Sequence, residues 1–229
     1  MSHLPCVEVE PAGAASAAVI WLHGLGANGH DFEPVVPELR LPADLAVRFV
    51  FPHAPAMPVT VNNGYVMPAW YDITEMSVGH EVDTEGLLCS AAAVTALIDR
   101  EIDRGIDSRR IVIAGFSQGG AVGYQVALTC SRPLAGLLVL SAYFATTGII
   151  RPHPANVRLP IRIYHGTADP IVPEFLGRES RDLLERMGYH PAYKTYPMQH
   201  AVCGEEIADI SAALQEWLAP HENGPAGLS

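Results

Sequence analysis

What most constrains this chain is a repeated exchange between two hydrophobic periods. The short runs 19–22 (VIWL), 47–51 (VRFVF), 111–114 (IVIA), 137–140 (LLVL), 161–164 (IRIY) and 192–196 (AYKTY) each stop at a glycine, a proline, a serine or a His-Gly pair. Three of them, VIWL, IVIA and LLVL, are apolar at every position, so they have no face to offer to water. Runs of this kind are expected as strands buried inside a parallel sheet. Longer segments of helical period lie between them. Over 83–104, Leu87, Ala91, Val94, Ile98 and Ile102 recur three or four residues apart. Segment 119–130 is small and apolar throughout, 174–187 stops at Gly188, and 205–218 carries a stripe of Ile207, Ile210, Leu214 and Trp217. Strands alternating with helices predict an α/β fold, with a mostly parallel central sheet covered by helices on both faces. The apolar stripes are fully accounted for as core.

Size and composition narrow the choice further. The 229 residues carry no internal repeat and no linker, so one domain is expected over 19–219. It is preceded by an N-terminal segment, 1–18, and followed by an aperiodic tail, 220–229. Hydrophobic residues make up 49% and charged residues 17%, which excludes a disordered chain. Fourteen Lys and Arg against 25 Asp and Glu give a net charge of −11, which repels nucleic acid and anionic lipid surfaces. No stretch approaches the roughly 20 apolar residues of a membrane span, so no stable membrane insertion is expected. Cys6, Cys89, Cys130 and Cys203 form no CxxC pair and no zinc-type spacing. They are expected as reduced thiols. With no signal-peptide run in MSHLPCVEVE, the expected location is cytoplasmic.

The strongest chemical signal is IVIAGFSQGG at 111–120, which holds G-x-S-x-G as Gly115-Phe116-Ser117-Gln118-Gly119. The pattern alone is weak. Its position directly after a predicted strand and before a predicted helix is the context of a nucleophile elbow. A serine hydroxyl needs a histidine to take its proton and a carboxylate to orient that histidine. On a doubly wound sheet these partners follow in the order serine, acid, histidine, at the carboxyl ends of strands. His190 precedes a strand and His221 is in the tail, which leaves His200, just past the run ending at Tyr196. Asp169 lies in the turn-rich loop after 161–164, whereas Asp182 and Asp209 fall in helical patterns and are expected to face solvent. The oxyanion donors are expected from the backbone N–H of Gln118 and, in the glycine-rich His23-Gly24-Leu25-Gly26, from that of Leu25. This loop lacks the lysine of a phosphate cradle and the acid of a dinucleotide site. His23, His53, His165 and His200 all fall at strand ends. No HExxH, HxH or DxH pattern accompanies them, so no metal is expected.

One segment breaks the rhythm. Between 52 and 82 lie Pro52, Pro55, Pro58, Pro68, two adjacent asparagines and the cluster Trp70-Tyr71-Asp72. A long irregular stretch inside a domain is usually functional, and its aromatic content argues against disorder.

LHGLGANGHDF, FPHAP, PVTVNNGYVMPAWYD, GFSQGGAV, HGTADPIVP and YPMQHAVCGEEI together resemble the carboxylesterase/acyl-protein thioesterase family of small α/β-hydrolases, the phospholipase/carboxylesterase group. The similarity runs from about 19 to 218. The resemblance implies an α/β-hydrolase fold without a large cap domain. It implies a serine hydrolase of small-to-medium acyl esters or thioesters that works through an acyl-enzyme, with Ser117, Asp169 and His200 as triad and no cofactor. It also implies that the irregular segment lines an acyl groove, with Met67, Trp70 and Val66 as one wall and Tyr143 and Phe144 facing them. Tyr143-Phe144-Ala145 stands where Tyr-Leu-Pro is common in the family. Family members often dimerise through the active-site face, so a homodimer is left open. The rival readings are a non-catalytic binding protein on the same fold and a peptidase or true lipase.

Overall fold

Six of the strands run in parallel because each leads into a helix or an irregular crossover before the chain returns to the sheet. The structure is a computed structural model that describes residues 3–74 and 82–219. The proposed tail, 220–229, lies outside the described residues, as do positions 75–81 of the irregular segment. The strands are β1 (Cys6–Val9), β2 (Ala17–Leu22), β3 (Val47–Pro52), β4 (Ala56–Val59), β5 (Tyr65–Pro68), β6 (Ile111–Phe116), β7 (Gly136–Leu140), β8 (Ile161–Gly166) and β9 (Ala192–Tyr196). Seven form one sheet in the order β1-β3-β2-β6-β7-β8-β9, and β4 and β5 form a separate antiparallel hairpin. Only the β1–β3 pair within the large sheet is antiparallel. Residues 6–9, inside the segment set apart as N-terminal, thus provide an edge strand.

The strict alternation of side chains along a strand divides the core in two. Ala18, Ile20 and Leu22 of β2, Ile111 and Ile113 of β6, and Leu137 and Val139 of β7 belong to one cluster. Ala17, Val19, Trp21, Val112, Ala114, Leu138 and Leu140 belong to the other. The first cluster is closed by α1 (Thr84–Asp103), α2 (Gln118–Thr129) and α3 (Glu174–Arg186), and the second by α4 (Gly204–Leu218) with Trp21, Phe32 and Leu39. Each fully buried Leu, Ile or Val contributes roughly 1.5–3 kcal/mol relative to exposure, so both faces stabilise the sheet. Helix α1 starts where Asp83 caps it, its carboxylate accepting the Gly86 N–H at 2.9 Å. Its fully buried Glu101 departs from the apolar stripe and is held by Arg48, Arg100 and Arg104. Among the described residues no helix is long and apolar enough to cross a membrane.

Candidate active site

Every residue expected to do chemistry lies at the carboxyl end of a strand of the large sheet or in the loop that follows it. Ser117 joins β6 to α2 with φ 53° and ψ −120°, a conformation that costs a non-glycine residue about 1–3 kcal/mol. Neighbouring backbone holds it there: Ser117 N–H donates to Leu140 O at 2.9 Å, and Gly120 N–H donates to Ser117 O at 2.9 Å. So tight a turn leaves no room for two side chains. A Cβ at Gly115 would meet the Gly119 carbonyl oxygen at 2.4 Å, and one at Gly119 would meet the Leu22 and His23 carbonyl oxygens at 2.6 Å. The elbow's glycines are therefore required by close backbone approach.

Asp169 follows β8 and is buried. Its Oδ1 accepts the N–H groups of Ile171 and Val172, both at 2.9 Å, which leaves Oδ2 for His200 Nδ1 at 2.7 Å. That bond places the proton of a neutral His200 on Nδ1 and leaves Nε2 as the basic nitrogen. Two backbone bonds tie the acid and histidine loops together: Thr167 N–H to Tyr196 O at 2.9 Å, and Ala168 N–H to Met198 O at 3.1 Å. The His200 ring packs 4.7 Å from that of Phe116, the residue before Ser117. Among the described residues no hydrogen bond joins the Ser117 hydroxyl to His200. Such contacts are often open without substrate and tighten when it binds.

The expected oxyanion donors sit on either side of the elbow. Among the described residues neither the Leu25 nor the Gln118 N–H has an acceptor. Gly24 packs against the elbow, a Cβ built on it lying 3.5 Å from that of Ser117. The Gln118 side chain is buried, accepting Trp70 N–H at 2.8 Å through Oε1 and donating through Nε2 to Tyr71 O at 2.7 Å.

Two residues expected along the groove sit elsewhere. Phe144 is 4% exposed and stacks on Tyr124 in the core, its N–H donating to Ser180 Oγ at 2.9 Å. Trp70 is 1% exposed and donates through Nε1 to His23 O at 2.9 Å. Both lie in the densely filled layer beneath α1 and α2, where a large ring fills volume and has no open face. Met67 is half-buried, its sulfur 3.6 Å from a Cβ built on Gly26 and accepting from Asn62 Nδ2. Tyr143 is half-buried. The exposed apolar groups nearby in sequence are Tyr65, Val66 and Ile171, the last two residues from Asp169. Asp209, expected to face solvent, is partly exposed, and it accepts from Tyr196 Oη at 2.8 Å and pairs with Lys194.

Three of the four strand-end histidines are engaged by backbone. His23 Nδ1–H donates to Gly24 O at 2.7 Å while its Nε2 accepts Ala54 N–H at 3.1 Å, and burial pushes its imidazole below the ordinary value. His53 Nδ1 accepts Gly29 N–H, and His165 Nε2–H donates to Val172 O at 2.8 Å. Burial lowers His165 as well. Among the described residues no group of three His, Cys, Asp or Glu could hold a metal ion. The Gln118 side chain and the His23 ring escaped the sequence reading. The available signal was an amide opening a helix that is mostly small and apolar, where a buried polar group is kept only if its hydrogen bonds are made.

The chain matches the family described as Phospholipase/Carboxylesterase over residues 5–218. It is 42% identical over 229 residues to acyl-protein thioesterase 1 of Neurospora crassa, covering 95% of this chain and 94% of that protein. It is 40% identical over 220 residues to acyl-protein thioesterase 1 of Gibberella zeae, covering 91% and 94%. The crystal structure of Arabidopsis thaliana SOBER1 superposes with a TM-score of 0.84 at 32% identity, covering 88% of this chain and 99% of that one. The chain belongs to the phospholipase/carboxylesterase family of α/β-hydrolases and, with that family, is a carboxylic ester hydrolase.

Proposed function

We propose that Ser117, His200 and Asp169 act as a nucleophilic triad that cleaves esters or thioesters of small-to-medium acyl chains. The observation that carries this is the 2.7 Å bond from His200 to Asp169, formed beside a serine held at positive φ. Ser117 Oγ adds to the acyl carbon as its proton passes to His200 Nε2, and Asp169 stabilises the imidazolium. The oxyanion accepts from the Leu25 and Gln118 N–H groups. The imidazolium then protonates the departing alkoxide or thiolate. A water, deprotonated by His200, repeats the attack and releases the acid. The proton first taken from Ser117 leaves with the alcohol or thiol, the proton His200 takes from water passes to Ser117 Oγ as the acid departs, and no cofactor enters the cycle.

Thioester cleavage is supported by the relatives named acyl-protein thioesterase 1. The four cysteines, all free thiols, support work in a reducing, cytoplasmic compartment. Ser117→Ala is expected to lower hydrolysis of a short-chain nitrophenyl ester by at least roughly 10³-fold. Retained activity in that variant would overturn the assignment.

A further inference from the structure

Resting on the reading above, we propose that Trp70 is a positioning residue of the oxyanion hole, with the Gln118 side chain as its anchor. The two oxyanion donors belong to loops far apart in sequence, and their spacing must hold to a fraction of an ångström. Leu25 N–H is aimed by the peptide planes that precede it. The carbonyl of the 23–24 peptide accepts from Trp70 Nε1 at 2.9 Å, and that of the 24–25 peptide accepts from His23 Nδ1 at 2.7 Å. A trans peptide points its N–H opposite its C=O, so fixing the Gly24 oxygen fixes the direction of Leu25 N–H. The Trp70 ring also packs against the His23 ring, 5.2 Å between centroids. On the far side of Leu25, Gly26 N–H donates to Pro68 O at 2.9 Å, so the strand leading to Trp70 holds the loop from both ends.

The indole can act this way only if its own backbone is fixed. Gln118 fixes it, binding Trp70 N–H and Tyr71 O with the two ends of one amide, while Ser90 Oγ donates to Trp70 O. Gln118 thus offers its backbone N–H to the oxyanion, and its side chain holds the residue that orients the other donor. This circuit runs from Gln118 of α2 through the buried Trp70 and His23 to the half-buried Leu25.

The test uses Trp70→Phe, which keeps a ring and deletes the N–H, and Gln118→Met, which keeps the backbone N–H and most of the side-chain volume. Each is compared with wild type for inhibition by an alkyl trifluoromethyl ketone, which adds Ser117 to form a tetrahedral oxyanion, and by the matched methyl ketone, which binds largely as an unreacted ground-state mimic. Positioning predicts that both variants lose at least about tenfold in trifluoromethyl ketone affinity and in kcat, with methyl ketone affinity and KM within about twofold of wild type. Unchanged trifluoromethyl ketone affinity in the folded variants, or an equal loss for both ketones, would overturn the proposal. The second result would return Trp70 to the groove wall. If Trp70→Phe does not fold, Gln118→Met decides by the same comparison. Failure of the underlying triad is read separately, as wild-type Ser117 that neither adds to the ketone nor is needed for hydrolysis.

Discussion

Glu206 lies in the first turn of α4, six positions after His200, and is fully buried. Among the described residues neither of its oxygens has a hydrogen-bond partner. Burial pushes its carboxyl up from the ordinary 4.5 to about 8. The folded chain therefore keeps a proton there that the unfolded chain releases above about 4.5. Its favourable contribution is complete below that value and is lost as pH rises toward 8. The buried His23 and His165 act in the opposite sense: their contribution is complete above the ordinary value of 6.5 and declines as pH falls below it. Glu206→Gln, which cannot ionise, is expected to gain up to about 5 kcal/mol over wild type at pH 9, or roughly 10 °C or more in thermal midpoint, with a gain below about 1 kcal/mol at pH 5. Parallel midpoint curves for the two proteins across that range would show that the carboxyl is not held protonated.

At the scale of elements, the decisive contact is between the start of α2 and the end of β2. Gly119→Ala tests it because two effects oppose each other. Alanine in a helix gains roughly 0.5–1 kcal/mol over glycine. The new methyl would stand 2.6 Å from the Leu22 and His23 carbonyl oxygens, and relieving that overlap costs about 1–3 kcal/mol. The clash wins, and the shift falls on the peptide that precedes the Leu25 loop. The expected outcome is a thermal midpoint several degrees lower and at least a tenfold loss of kcat. A raised midpoint would mean that helix propensity dominates.

The elements that could be read from the chain were those whose pattern is set by burial alone. Strands β2, β3, β6, β7, β8 and β9 and all four helices lie within about two residues of the expected ranges, because the inner strands are apolar on both faces and three of the helices carry a buried stripe or are buried throughout. Strand β1 was not legible. Four half-buried residues with a glutamate, pairing on one side only, carry too little pattern. The β4–β5 hairpin was hidden by Pro58 and Pro68, which are tolerated in a two-stranded sheet where much of the backbone needs no partner. Of the proposed triad, strand-end logic singles out Ser117, Asp169 and His200, and the structure brings His200 against Asp169. Trp70 could not be placed, because an aromatic residue in an irregular segment reads equally as groove wall or as core. Glu101 was illegible for a similar reason: a buried carboxylate depends on Arg48, Arg100 and Arg104, which lie on two different elements.

Over the whole molecule, sheet order turns scattered sequence positions into one edge. The loops after β2, β6, β8 and β9 carry the HGLG segment, Ser117, Asp169 and His200, and those strands lie in one contiguous stretch of the sheet with β7 among them. At the opposite flank, Glu8 and Glu10 bind Arg100, Arg104 and Arg48, which ties the antiparallel edge strand to α1 and β3. The net charge of −11 suits a reaction in which the attacked group is a neutral carbonyl. The account stands on Ser117 as the activated nucleophile. Its most direct test is to label the full-length protein with a fluorophosphonate during ester hydrolysis and map the adduct by peptide mass spectrometry. The account predicts a single adduct on Ser117, formed in step with loss of activity. Complete inactivation with the adduct on another residue, or full activity with Ser117 modified, would contradict it.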